Sequence, residues 1–453
     1  MPYALLINPP IHDFAAFDLW MKPLGLLYAG AALEAAGWRV ELLDCLDRLH
    51  PSCPAPAGKT QPRLQRFGCG AFPTQTLPAP EPLHDVPRTY RRFGLPPEIV
   101  RQELARRTRP DLIAVTSMMT YWYPGVFEAV ALARDALPGI PIVLGGVYAT
   151  LCTDHAEAAS GADYVVAGAG EEKLLALAGQ IAAAGSEVDL SSLRPAYHLM
   201  GRLTSISVLT SRGCPFGCTY CASRLLCKGF TQRDVDQVVN EIDALTDRCG
   251  VREVAFYDDA LLVDARSHIV PILRALRRRR PELRFHTPNG LHARMVDEEL
   301  ARELRQSRFT TIRLSFETAS EQRQIDSNRK ITNNELRQVI RTLLAAGYTH
   351  REIEVYVLMG LPGQEIEELD ETLRFVHDAG GWIKIAQFSP IPGTEEFERA
   401  RRLNPAITHE PLLHNNSIFS AACGPDRFAP FQRMKRLANT LNAALARGQD
   451  EES

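Results

Sequence analysis

Short apolar runs alternate with amphipathic stretches along most of the chain, and each change of rhythm falls on glycine, proline or a polar group. Ala4–Asn8 is an apolar run closed by Pro9-Pro10, and Leu24–Ala36 follows with helical spacing up to Gly37. Arg39–Asp44, Leu112–Thr116, Ile142–Leu144 and Tyr164–Val166 bring the predicted strands here to five, with helices over Gly125–Leu137 and Glu171–Ala184. Strands that alternate with helices predict a parallel sheet covered on both faces. Residues 1–190 therefore read as an α/β domain, a flavodoxin-like doubly wound sheet. Residues 46–109, between the second and third strands, form a proline-rich insert with little periodicity before a helix near Pro97–Arg107; long loops of this kind are usually functional or mobile.

From residue 195 to 405 the rhythm repeats six times. Strands are expected near Ile206–Thr210, Glu253–Phe256, Leu283–His286, Thr311–Phe316, Ile353–Met359 and Trp382–Ser389. Helices such as Val235–Leu245, Ser267–Arg279 and Asn334–Ala346 intervene. Six such repeats predict a partial (β/α)6 barrel, whose chemistry belongs at the carboxyl ends of its strands. Residues 406–453 carry one amphipathic helix, Phe431–Arg447, expected to dock against the barrel, and a polar tail.

Composition narrows the class. The 453 residues are 45% hydrophobic and 23% charged, as in ordinary globular proteins. A net charge of −3 gives no support for nucleic-acid binding, which calls for a basic face. The basic run Arg277–Arg280 ends a predicted helix, where cations are favoured. No apolar stretch is long enough to span a bilayer, so no membrane partner is expected. Ten cysteines without a secretory leader suit a reducing cytoplasm.

Three of those cysteines carry the chemistry. Cys214, Cys218 and Cys221 stand in Ser211-Arg-Gly-Cys-Pro-Phe-Gly-Cys-Thr-Tyr-Cys-Ala-Ser223, a Cys-x3-Cys-x2-Cys spacing just after the first barrel strand. Soft thiolates this close on one loop suit an iron–sulfur cluster. A structural zinc site is the competing reading, with Cys227 as a fourth ligand, although zinc sites usually space two cysteine pairs further apart. Cys227 and Cys249 otherwise read as ordinary thiols, and so does Cys69 in the insert.

The spacing, with Tyr220 before the last cysteine, resembles the radical S-adenosylmethionine (SAM) superfamily. The resemblance implies a 4Fe-4S cluster held by Cys214, Cys218 and Cys221, whose open iron chelates SAM and cleaves it to methionine and a 5′-deoxyadenosyl radical. It also implies SAM contacts from Asp258 and Asp259, where many members have Gly-Gly-Glu, and from Ser315 and Glu317 in Ser315-Phe-Glu-Thr318. Gly360 and Gly363, in Met359-Gly-Leu-Pro-Gly-Gln-Glu365, match the family's turn after the fifth strand. A carboxylate such as Glu317 could equally form a plain salt bridge. His286, Asn289, His292 and Arg294 follow the third strand; a histidine there could act as acid or base, or simply hold a structural hydrogen bond.

The amino-terminal region resembles the cobalamin-binding domain that precedes many radical SAM domains, through Pro23-Leu-Gly-Leu-Leu-Tyr28, Ala35–Asp44 and Pro141-Ile-Val-Leu-Gly-Gly146. Strand ends are where such sheets bind ligands, which makes Thr116, Ser117, Gly145 and Gly146 candidate cobalamin contacts; each glycine also fits a simple turn. The Asp-x-His-x-x-Gly motif that places a histidine beneath cobalt is missing: His155 follows Asp154 directly. A corrin here would have no histidine on its lower face. The resemblance implies a cobalamin-dependent radical SAM enzyme, most plausibly a methyltransferase acting on an unactivated carbon of a small-molecule or peptide substrate. It would be fed electrons by a flavodoxin or ferredoxin. A radical cyclase or rearrangement enzyme, with or without cobalamin, is the alternative, and a non-enzymatic redox or corrin-sensing protein a more distant one.

Overall fold

In the computed structural model, which describes residues 1–53, 65–182, 188–328, 330–417 and 428–452, the apolar runs become buried strands. The chain divides into two units, residues 1–204 with 407–414, and residues 205–406 with 415–453.

The first unit holds β1 (Tyr3–Asn8), β2 (Ile11–Asp13), β3 (Arg39–Asp44), β4 (Thr74–Thr76), β5 (Arg91–Phe93), β6 (Leu112–Val115), β7 (Ile142–Leu144) and β8 (Tyr164–Val165). Five of these make an all-parallel sheet in the order β3-β1-β6-β7-β8. Counted among themselves they run 2-1-3-4-5, the flavodoxin-like order expected from the sequence. Leu5, Ile7, Ile113, Val115, Ile142 and Leu144 are buried together against Val126 and Val130 of the Tyr123–Ala136 helix. Such a sheet, apolar on both faces, is why its inner strands read as apolar runs, while the edge strand β3 carries Arg39, Glu41 and Asp44.

The insert departs from its featureless appearance. Its described part supplies β4 and β5, which pair antiparallel with each other and, through β5, with β2. Arg92 on β5 is buried and reaches Glu128 at 2.8 Å; His12 on β2 meets the same carboxylate at 2.7 Å. Residues 54–64 of the insert, the last residues of the helix expected over Glu171–Ala184 and the end of the polar tail fall outside the described residues.

The second unit contains β9 (Ile206–Val208), β10 (Ser211–Gly213), β11 (Phe230–Gln232), β12 (Glu253–Phe256), β13 (Arg284–His286), β14 (Leu291–His292), β15 (Phe309–Glu317), β16 (Ile353–Met359) and β17 (Trp382–Gln387). The main sheet runs β9-β12-β13-β15-β16-β17, every pair parallel, and β14 extends the third strand beside β15. Sequential parallel neighbours with crossover helices give the open barrel expected.

The inner barrel strands carry paired charges. Glu253 of β12 accepts from Arg284 at 3.0 Å and meets His286 Nε2 at 2.8 Å, while Arg313 of β15 donates to Glu354 of β16 at 2.6 Å. An open barrel leaves β17 as an unpaired edge, a site prone to adventitious pairing. The carboxyl-terminal helix, Phe428–Glu452, covers it. Asn442 there donates to Ile383 O at 2.9 Å and accepts from Ile383 N at 2.8 Å, its amide standing in for a neighbouring strand.

Candidate active site

The loop bearing Cys214, Cys218 and Cys221 leaves β10, which pairs with β11 as a short hairpin directly beyond β9. Gly213, one residue ahead of Cys214, has φ +78°, and a Cβ there would lie 2.1 Å from Gly229 O. Only glycine fits that approach, so the residue fixes where the loop departs.

Asp258 anchors the loop from below. Only 3% exposed, it accepts from Thr210 N at 3.0 Å, Thr210 Oγ1 at 2.8 Å, and Ser211 N and Oγ at 2.6 Å each. Burial pushes its carboxyl upward while these four donors pull it back. Its oxygens are thus committed to the loop, and of the two aspartates expected to meet SAM only Asp259 is exposed. Burial also raises Asp259, the Ser223 hydroxyl opposing it. Asp258→Ala should strip four donors of their acceptor at once. We expect a loss on the order of 3 kcal/mol, read as a lower denaturation midpoint, together with reduced iron uptake; an unchanged midpoint would contradict the anchoring role.

Further contacts hold the loop along its length. Tyr220 donates to Glu317 Oε1 at 2.9 Å, and Lys330 Nζ lies 3.5 Å from the same oxygen. Glu317 itself has φ +74° and sits where the β15–β16 register shifts, a left-handed conformation uncommon outside glycine. Thr219 Oγ1 approaches the buried Glu396 carboxylate at 3.3 Å, and Glu396 N donates to Thr219 O at 3.1 Å. Asn328 Nδ2 donates to Gly217 O. The Phe216 ring lies 4.4 Å from that of His292.

His292 is 6% exposed, and its Nδ1 has no hydrogen-bond partner among the described residues. Burial, then Lys330 and Arg294, push its pKa down to about 4, so the ring is neutral. His286 is fully buried between Glu253 and Thr311, which makes it a structural hydrogen-bonding residue; Asn289 likewise binds Tyr257 O and Asp258 O, and Arg294 is exposed. Ser315 is buried, its Oγ 2.0 Å from where a Cβ on Gly290 would stand. Gly360 and Gly363 flank a turn pinned by Gln364, whose Oε1 accepts from Gly360 N at 2.7 Å and whose Nε2 donates to Leu358 O at 3.0 Å. Asn328 and Glu396 were not singled out in the sequence, because each is an unremarkable polar residue more than a hundred positions from the loop residue it contacts; Lys330 and Gln364 carried no motif either.

The thiols fit a cluster. Cys214, Cys218 and Cys221 are free and partly to fully exposed; burial, and then the neighbouring Cys221 charge, raises Cys214 and Cys218. Lys330 opposes that rise at Cys218. No three Cys, His, Asp or Glu donors converge on one point among the described residues. A closed zinc knot puts four ligands on one ion, whereas the ligands of a cubane go to different irons.

In the first unit, a cavity of about 190 Å³ opens at the strand ends, lined by Gly25, Thr116, Gly145, Gly146, Gly168 and Leu174 among others. It lies at the carboxyl ends of the strands, where sheets of this order bind ligands. Ser117, expected beside Thr116, instead ties the strand ends together, donating to Gly145 O at 2.7 Å and accepting from Ala149 N at 3.3 Å. His155 is held by Tyr148 Oη at 2.6 Å and packs among Tyr123 and Phe127.

Comparison with known proteins fits this geometry. The model of the radical SAM superfamily matches residues 208–376, spanning the cysteine loop and the strands that carry its contacts. Residues 208–376 thus match a radical SAM domain. A model of the B12 binding domain matches residues 92–178. The chain is 25% identical over 344 residues to an anaerobic magnesium-protoporphyrin IX monomethyl ester cyclase of Cereibacter sphaeroides, covering 66% of this chain and 54% of the relative. A cytidylyl-2-hydroxyethylphosphonate methyltransferase of Streptomyces wedmorensis is 26% identical over 196 residues, 41% of this chain and 35% of its own. The chain spans about half the length of the curated relatives it matches. In fold it resembles the radical SAM methyltransferase TsrM of Kitasatospora setae, with a TM-score of 0.64 at 17% identity over 89% of this chain and 76% of that one. No helix among the described residues is long and apolar enough to cross a membrane.

Proposed function

We propose that this chain is a cobalamin-dependent radical SAM enzyme that cleaves SAM reductively and methylates an unactivated carbon of a small-molecule or peptide substrate. The observation that carries the reading is the set of three free thiols on one tightly anchored loop at the carboxyl end of β9. When bound, the 4Fe-4S cluster would supply the electron that cleaves SAM, and cobalamin the methyl group to be transferred.

The chain's own residues would do the positioning. Cys214, Cys218 and Cys221 would hold the 4Fe-4S cluster. Asp259, exposed beside the loop, suits the ammonium of SAM; Ser315, Glu317, Gly360 and Gly363 lie at the strand ends that would flank its ribose and adenine. Lys330 beside Glu317 and Cys218 offsets the negative charge gathered there. Thr116, Gly145 and Gly146 line the cavity at the strand ends, the candidate corrin site. With His155 occupied by Tyr148, no histidine from the degenerate motif is expected beneath cobalt. The free thiols are consistent with a reducing cytoplasm, and a flavodoxin or ferredoxin would deliver the electron. Radical cyclisation is the second reading, favoured by the cyclase named among the relatives.

Anaerobic reconstitution with iron, sulfide and hydroxocobalamin tests the reading. We expect about four irons per chain, a bound corrin spectrum, and 5′-deoxyadenosine from reduced protein and SAM. Glu317→Ala should weaken SAM binding about tenfold while retaining iron. A fully clustered protein that never forms 5′-deoxyadenosine refutes the radical reading. Nitrogen superhyperfine splitting on cobalt(II) would refute the unliganded lower face.

A further inference from the structure

The chain returns to its first unit near the carboxyl terminus, and the residues that return are not surface filler. Ile407, Leu412 and His414 are 0%, 3% and 2% exposed. Both nitrogens of His414 are engaged, Nε2 with Ile407 O at 2.7 Å and Nδ1 with Thr120 Oγ1 at 3.0 Å. A carbonyl only accepts, so Nε2 carries the proton, Nδ1 is the acceptor and the Thr120 hydroxyl donates. Burial pushes the pKa of His414 down to about 4 and keeps this arrangement neutral. Glu410 accepts from Tyr123 Oη at 3.1 Å and from Leu412 N at 2.8 Å with the same oxygen.

Thr120 lies in the segment that leaves β6, and Tyr123 opens the helix that follows it. Three residues nearer the strand than Thr120, Ser117 joins that segment to the next loop: it donates to Gly145 O, accepts from Ala149 N, and its own carbonyl accepts from Val147 N at 2.8 Å. Gly146 completes the joint, with φ +96° and a would-be Cβ 2.2 Å from Ser117 O. Tyr123 also stacks on Tyr148, ring centroids 5.7 Å apart. Thr116, Gly145 and Gly146 line the cavity. A continuous set of hydrogen bonds and ring contacts thus runs from residues 407–414 to the lip of the candidate corrin site.

We propose that Ile407–His414 is a clasp for that site, with Glu410 and His414 as positioning residues that hold the Thr116–Tyr123 loop in its cobalamin-binding shape. The inference rests on the cobalamin reading, and it adds to the site a segment remote in sequence from both matched domains. Neither residue touches the ligand; each acts through Thr120 or Tyr123. Loosening the clasp would leave the sheet and the cysteine loop intact while softening one wall of the cavity.

Two measurements on the full reconstituted chain test it: backbone hydrogen exchange of residues 117–123, and titration with hydroxocobalamin. Glu410→Ala and His414→Leu are expected to speed exchange in that segment and to weaken hydroxocobalamin about tenfold each, whereas Glu410→Gln, which keeps an acceptor for Tyr123, stays near wild type. Tyr123→Phe removes only the hydroxyl and keeps the ring, so it reports on the same contact should the other variants fail to fold. Unchanged exchange in these variants would overturn the clasp. Faster exchange with unchanged affinity would overturn its link to the corrin site. If the wild-type chain binds no hydroxocobalamin, the cobalamin reading fails and the positioning role with it, and exchange alone then shows whether residues 407–414 hold the loop.

Discussion

Replacing Cys214, Cys218 and Cys221 together with alanine is expected to take the reconstituted chain from about four irons to essentially none. The thiols are partly to fully exposed and belong to no apolar core, so their loss should leave the fold in place. Asp258 holds Thr210 and Ser211, and Glu396 holds Thr219, without any help from the sulfurs, while Tyr220 keeps Glu317 when it loses Cys218. Cys227, one loop further on, could retain at most a partial site. Iron and sulfide assays after anaerobic reconstitution, alongside far-ultraviolet circular dichroism, read both halves of the expectation. A folded triple variant that still holds about four irons would remove the basis of the cluster assignment.

Gly25→Trp is expected to lower hydroxocobalamin affinity by about a hundredfold or more while leaving the fold and the iron content intact. Gly25 is exposed on the Leu24–Ala35 helix, lines the cavity, and a Cβ added there would meet nothing within 4 Å. An indole at that position can therefore turn into a space of about 190 Å³ without displacing protein atoms. Gly146, the obvious target from sequence, is the wrong one. Its φ of +96° and its approach to Ser117 O mean that any side chain there forces the loop open, so lost binding would have two explanations. Glycine is also a poor helix residue, and tryptophan at Gly25 should if anything favour the helix slightly. Wild-type affinity in a folded Gly25→Trp variant would show that the corrin does not use this cavity.

What the sequence determined by itself is whatever local pattern encodes. Arg39–Asp44, Ile142–Leu144, Glu253–Phe256 and Ile353–Met359 were legible to the residue because buried parallel strands are apolar runs that stop at turn residues. Both sheet architectures followed from strands alternating with helices, and the cysteine loop from the spacing of three residues. Thr116, Gly145 and Gly146 were legible as strand-end residues and do line one cavity. The β2-β5-β4 sheet was not legible: its strands are three residues long, Thr74-Gln75-Thr76 is wholly exposed, and the pairing joins segments some 80 residues apart. Nor did the sequence reveal that Asp258 spends its carboxylate on Thr210 and Ser211, that His286 is a buried partner of Glu253, or that Lys330 and Glu396 brace the cysteine loop. Residues 407–414, whose sequence carries no periodicity, gave no sign of closing on Thr120 and Tyr123, nearly 300 residues away. Hydrogen bonds and charge pairs act over a few ångströms in space, and which polar residues fall within that range is decided only when the sheets have formed and the chain has folded back on itself.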